Sequence, residues 1–385
     1  MSLCGDASLD VDVVAGCRDP GEVRARLVLD RPDVVAFDAS HEWLDAVLFG
    51  ACRSAGAAVV VVGREGDPRP MRLGADVVVH AVGADAILDA VLAAARPGRG
   101  QGTHLHRRSR RVVAIWGPKG GTGRTTIAVN VGWELALGGL SCALVDADST
   151  GASVGVHLDV EEAPSVAELA RDAGHGLAGG DCVERFPVPV PGLVVIPGLA
   201  APGDWPQLRD ADLDVALDAL RRVSQMVVVD TGSCLEDDEE LLTQAWPWRR
   251  NQAARAVIGA SDTVLAVVGC DPGSLRHAVA ASEELAALVE PGRVVVVVNK
   301  VVGRRDGEHV AAELERRCGW TGGSHLMPLD AVAVRAAWSG KALAEVAPRS
   351  MLRHNVRRLA RIVSRSPAGM PTLAPLALRT RRNQT

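Results

Sequence analysis

Ten consecutive residues, Gly117-Pro118-Lys119-Gly120-Gly121-Thr122-Gly123-Arg124-Thr125-Thr126, carry the most concentrated chemistry in this chain. Glycines at this density let backbone N–H groups converge on an anion, and a helix N-terminus directly behind them adds partial positive charge. The Thr125 hydroxyl falls where such a phosphate cradle places a magnesium ligand. Carboxylates follow at sensible distances. Asp146 and Asp148 end the apolar run Cys142–Val145, and Asp230 ends Met226–Val229. At the carboxyl edge of a parallel sheet, such carboxylates orient water on a terminal phosphate or reach Mg²⁺. Asn299, after Val294–Val298, offers an amide with both donor and acceptor, which suits a purine edge.

These residues need elements to hold them. Val112–Trp116, Cys142–Val145, Leu193–Ile196, Met226–Val229, Val264–Val268 and Val294–Val298 are near-continuous apolar runs separated by helix-length segments. That is the pattern of buried parallel strands in an α/β fold. The cradle sits between the first of these strands and a helix expected over Ile127–Leu137. Ahead of it lies a smaller alternating region: strands at Val11–Ala15, Val34–Phe37, Ala58–Val62 and Val77–His80, with helices near Glu22–Leu29, Trp43–Arg53 and Ala84–Ala95. The division is therefore a small α/β domain over 1–95, a basic exposed linker over 96–111, a P-loop domain over 112–365 and a disordered tail over 366–385.

Composition narrows the function classes. The 385 residues are 48% hydrophobic and 23% charged, with a net charge of −5, so no global basic field points to nucleic acid. With no Tyr and three Phe, single-strand recognition by base stacking is not expected. The eight cysteines form no Cys-x-x-Cys pair, which favours reduced thiols over zinc or disulfides. No leader or spanning segment is visible, and the expected localisation is cytoplasmic, with recruitment to the inner membrane face or a cell pole as an extension.

The order Lys-Gly-Gly-x-Gly-x-Thr-Thr, Asp-x-Asp, apolar-Asp-Thr-Gly, strand-Asn and Met327-Pro328-Leu329-Asp330 resembles the ParA/MinD group of deviant Walker A ATPases over about residues 110–365. The resemblance implies ATP and Mg²⁺ as cofactors and a homodimer when ATP is bound, with Lys119 crossing to the partner's nucleotide. Asp148 would position the attacking water with Asp146 beside it. Gly120 to Thr126 would hold phosphate, Thr125 and Asp230 the metal, and Asn299, Pro328 and Asp330 the adenine. Arg124 stands where the family has lysine, so nucleotide binding is expected to survive and hydrolysis to be slow.

The first region resembles a response-regulator receiver, with Asp38 at the acceptor position of Asp33–Asp38 and Leu73–His80 approaching its last strand. The acidic pair has no counterpart and the receiver lysine position falls near Ala81, which implies docking rather than phosphorylation. This layout is similar to that of the CpaE/TadZ proteins. It implies an ATP-dependent dimerising switch that positions a cell-envelope assembly, a tight-adherence pilus or a septum site, with protein partners from a secretion, pilus or division apparatus. The alternatives are a DNA-partitioning ATPase that coats nucleoid DNA non-specifically and an ATP-binding pseudo-enzyme scaffold. The basic amphipathic segment 349–363 is expected to pack on the core, membrane or DNA contact being its other use. The acidic run Glu236–Glu240 stands where the resemblance places a second switch, its other reading being a solvated charged face, and Arg249, Arg250 and Arg255 are its candidate electrostatic partners.

Overall fold

A computed structural model describes residues 13–41, 43–63, 67, 69–80, 84–95, 110–174, 183–237 and 250–365. The expected linker up to residue 109, the tail from 366, Ala81 and Arg249 lie outside the described residues, as do 238–240 of the acidic run.

The large unit is a seven-stranded sheet of β4 (Arg111–Trp116), β5 (Cys142–Ala147), β6 (Leu193–Ile196), β7 (Met226–Thr231), β8 (Thr263–Gly269), β9 (Val294–Val301) and β10 (Ser324–Pro328). Its spatial order is β10-β9-β8-β4-β7-β5-β6, every pairing parallel. Helices on both faces explain the Val-rich runs. Every residue of β4, β5 and β7 is buried, with Val112, Ala114 and Trp116 in one core and Val113 and Ile115 in the other. That alternation is the strand period of two, with both faces covered.

One face carries the helix Arg124–Leu137, against which the closing helix Met351–Val363 packs through Leu352, Val356, Leu359 and Val363. The apolar stripe of 349–363 thus packs on the core, as its spacing implies. Arg353 Nε reaches the buried carboxylate of Glu134 at 2.6 Å.

Two expectations need correction. Arg111, counted in the exposed linker, is 5% exposed and opens β4. Its guanidinium donates through Nη1 to the carbonyls of Val363 and Arg365 at the end of the closing helix, which offsets part of the cost of burying the charge, while Nη2 is buried without a partner. Residues 13–15, expected as strand, are irregular; Val13 and Val14 are exposed, and β1 pairs only with β2. Without a ladder partner, β-branched composition does not make a strand. β10 escaped sequence reading because Ser-His-Leu-Met-Pro neither alternates cleanly nor avoids proline; as an edge strand with a register shift between Leu326 and Pro328 it tolerates both.

The small unit is a parallel sheet, β1 (Val34–Asp38), β2 (Ala58–Val62) and β3 (Val77–Val79), in that spatial order. Helices Pro20–Leu29, Ala46–Ser54, Arg69–Leu73 and Ala84–Ala95 accompany it. Its core includes Phe37, Leu48 and Phe49. It meets the large unit through helices Ala46–Ser54 and Asp210–Val223, Val215 joining the small core.

Candidate functional site

β4 lies between β7 and β8 in the sheet, and the chain leaving it forms the glycine loop. Gly117 is required there by contact: a Cβ would run into the carbonyl oxygen of Val267 on β8. Gly120 and Gly123 have φ of 116° and 92°, the left-handed region that favours glycine. The loop is pinned from β9: Asn299 Nδ2 donates to the Thr122 carbonyl at 2.7 Å, and Lys300 Nζ donates to that of Gly121. The Lys119 side chain belongs to an exposed residue, and its carbonyl faces His277 Nδ1 at 3.2 Å.

β5 and β7 are neighbours in register, so Asp146 and Asp230 stand opposite one another behind the loop. Asp230 Oδ2 accepts the Thr125 hydroxyl at 2.6 Å, and Thr125 Oγ1 lies 3.0 Å from Ser153 Oγ. Asp230 Oδ1 is buried and has no hydrogen-bond partner. Burial first, then the Asp146 charge, push this carboxyl well above the usual carboxylate range. An unsatisfied carboxylate oxygen beside a threonine hydroxyl fits a hard divalent cation. Magnesium takes one or two protein oxygens and fills its shell with phosphate and water, and Thr125 and Asp230 would be those ligands.

Asp146 is occupied differently. Its Oδ2 accepts the N–H groups of Ser153 and Val154 at 2.7 and 2.9 Å, and its Oδ1 that of Asp148 at 3.1 Å. Burial raises its pKa to about 6 against those hydrogen bonds. It anchors the turn that presents Asp148 and Ser153. Asp148 Oδ1 accepts Thr150 N, Thr150 Oγ1 and Gly151 N within 3.0 Å. Its Oδ2 accepts Arg124 Nη2 at 3.2 Å. Arg124 Nη1 donates in turn to the Gly117 carbonyl at 3.0 Å, so the guanidinium lies folded over its own loop. Arg124, expected on phosphate, and Asp148, expected to orient water, are thus paired with each other.

Part of this set lines a cleft of about 560 Å³, within the range of small-molecule sites. Gly120 to Thr126, Asp148, Asn299, Pro328 and Asp330 all face it; Lys119, Asp146 and Asp230 do not. Asp330 Oδ1 accepts Val332 N at 3.0 Å, in the turn that leads into the helix Val332–Trp338. Sequence reading missed Ser153, whose only cue is a serine before a short helix, and the apolar cleft wall of Val334 and Trp338. In the acidic run, Arg255 pairs with Asp237 at 2.9 Å, as its charge suggests.

Comparison with known proteins bears on the fold of the large unit. A family model for ParA, described as NUBPL iron-transfer P-loop NTPase, matches residues 108–173, from just before β4 to beyond Asp148. The tyrosine-protein kinase CpsD of Streptococcus pneumoniae serotype 4 is 24% identical over 125 residues, 31% of this chain and 52% of that protein. The match therefore spans about half the length of that curated relative. A ParA family ATPase from Chlorobium tepidum TLS superposes with a TM-score of 0.55 at 18% identity, covering 66% of this chain and 99% of the other. The septum site-determining protein MinD of Pyrococcus horikoshii OT3, complexed with Mg-ADP, gives 0.51 at 18% identity over 66% and 95%. Among the described residues no helix is long and apolar enough to cross a membrane. The seven-stranded unit carries the ParA/MinD type of P-loop NTPase fold.

Proposed function

We propose that the chain is an ATP-operated switch that dimerises with nucleotide bound, hydrolyses it slowly and positions a cell-envelope assembly. The observation that carries the nucleotide reading is the Thr125–Asp230 pair with an unsatisfied buried carboxylate oxygen, set directly behind a glycine loop. Loop N–H groups and the N-terminus of helix Arg124–Leu137 bind the phosphates. Thr125 and Asp230 hold Mg²⁺, which supplies charge neutralisation on the phosphates when bound. Asp148 orients the attacking water once Arg124 releases it. Lys119, exposed at the loop, is free to reach a partner's nucleotide, and Mg-ADP in the MinD structure supports magnesium nucleotide as the ligand class. The small domain, with its receiver-like order β1-β2-β3, serves docking. A tight-adherence pilus or a septum site is the assembly this layout favours.

The Arg124–Asp148 ion pair also favours a second reading, an ATP-binding scaffold that does not cleave. Calorimetry with Mg-ATP and single-turnover hydrolysis by the full chain separate the two. Binding that needs Mg²⁺ and is lost in Thr125→Ala supports the site. A slow but complete turnover selects the switch, and none selects the scaffold. For the positioning role, a fluorescent fusion should give discrete foci that Lys119→Ala disperses; diffuse signal in both strains rejects it.

A further inference from the structure

The phosphate half of the cleft is polar, and its other half is not. Helix Val332–Trp338 buries Val332 and Ala336 beneath it. Its other side leaves Val334 at 61% and Trp338 at 88% exposed, with Leu329 at 59% just before it. Trp338 is the most exposed large apolar side chain among the described residues, yet it faces the same cleft as the loop from Gly120 to Thr126. Isolated apolar residues on a surface need no explanation, but three gathered on the wall of a ligand-sized cleft do.

Asn299 shows what this wall can do. Its amide nitrogen is committed to the Thr122 carbonyl, and the residue is buried against the loop. One of its two N–H donors is thus spent on the loop, which leaves a reduced set of groups to read a base edge, so hydrogen bonding there is a weak discriminator. A flat indole on the open side of the same cleft offers a π-face instead, and base–aromatic stacking is tolerant of base identity. A nucleoside triphosphate anchored at Gly120–Thr126 must place its base further along this cleft.

We propose that Trp338, flanked by Val334 and Leu329, is the platform on which that base stacks, so that the site selects a heteroaromatic base by its face rather than by its edge. This rests on the nucleotide-binding reading above. Binding of Mg-ATP, Mg-GTP and Mg-tripolyphosphate, the last having no base, should be measured on the full chain as wild type, Trp338→Ala and Trp338→Phe. Trp338→Ala should weaken ATP and GTP alike by about tenfold, or about 1.4 kcal/mol. It should leave tripolyphosphate within about twofold, and Trp338→Phe should restore both nucleotides. Unchanged nucleotide affinity in Trp338→Ala overturns the proposal, as does an equal loss for tripolyphosphate, which would mean a distorted loop. Loss of ATP-dependent dimerisation alone, with affinity intact in dilute protein, also overturns it and gives the patch to a second copy of the chain. If wild type binds neither ATP nor tripolyphosphate, the nucleotide reading fails first and this proposal with it.

Discussion

The two sheets of this molecule end a strand in the same way, and only one builds a site from it. β7 runs Met-Val-Val-Val into Asp230, and β1 runs Val-Val-Ala-Phe into Asp38. Asp230 is buried opposite Asp146, bonded to Thr125, and pushed up by burial. Asp38 is exposed, and the Ser40 backbone N–H at 2.9 Å followed by the Ser40 hydroxyl holds it below the usual carboxylate range. A strand-end aspartate is thus a common turn residue until neighbouring strands bring it company. Seven parallel strands supply that company; three do not.

The largest test of this contrast is acid. On the edge of the large sheet, His325 Nε2–H donates to the Asn355 carbonyl at 3.1 Å, and burial lowers its pKa from 6.5 to about 4. The depressed folded value means its stabilisation is complete above pH 6.5 and is lost as pH falls towards 4. The loss should be on the order of 3 kcal/mol and should be blunted in His325→Gln, read by denaturant midpoints across that window. Asp38, also depressed, loses its contribution only below the ordinary carboxylate range, so the small sheet should be insensitive over the same window. Equal slopes with and without His325 would show that burial is not what separates the two sheets.

Next in size is Asp230→Asn, which should weaken Mg-ATP by about 100-fold, or about 2.7 kcal/mol. The nucleotide-free protein should be no less stable, because burial opposes the Asp230 charge in the absence of a cation. A thermal melt beside the titration checks both halves, and a fall in both would make Asp230 a structural residue. Smaller again is Arg124→Lys. A compact ammonium gives up the guanidinium's bonds to Asp148 and Gly117, so single-turnover hydrolysis should rise about tenfold. A fall would mean that the guanidinium stabilises the reacting phosphate better than lysine. The smallest effect belongs to Asp38→Asn, expected within about 0.5 kcal/mol in stability and unchanged in Mg-ATP affinity. A large change there would mean that the small domain has a site of its own.

Much of this was legible from local order. The glycine loop had to follow a strand and open a helix, and Gly117, Gly120 and Gly123 sit where backbone contact or positive φ requires them. Runs of Val marked the buried strands because a parallel sheet covered on both faces has no polar side to show. β10 and the irregular start at Val13–Ala15 were not legible, since an edge strand and an unpaired β-branched run differ only in whether a neighbour is present. Arg111 had the composition of a linker and the place of a strand, because the carbonyls that accept from its Nη1 lie at the other end of the domain.

By itself the sequence determined which groups could act: a phosphate loop, three carboxylates at strand ends, and an arginine where lysine is usual. Spacing along the chain fixes such things, because hydrogen-bond register and side-chain periodicity are local. Only the tertiary structure decided how these groups divide the work. It set Asp146 to holding a turn, Asp148 against Arg124, Asn299 on the Thr122 carbonyl, and Trp338 on the cleft wall. Two of the site's long-range pairings join a strand end to the glycine loop or the helix behind it, 105 positions apart for Asp230 and Thr125 and 177 for Asn299 and Thr122. The strand order and the packing of the sheet set such distances, and no local pattern encodes them.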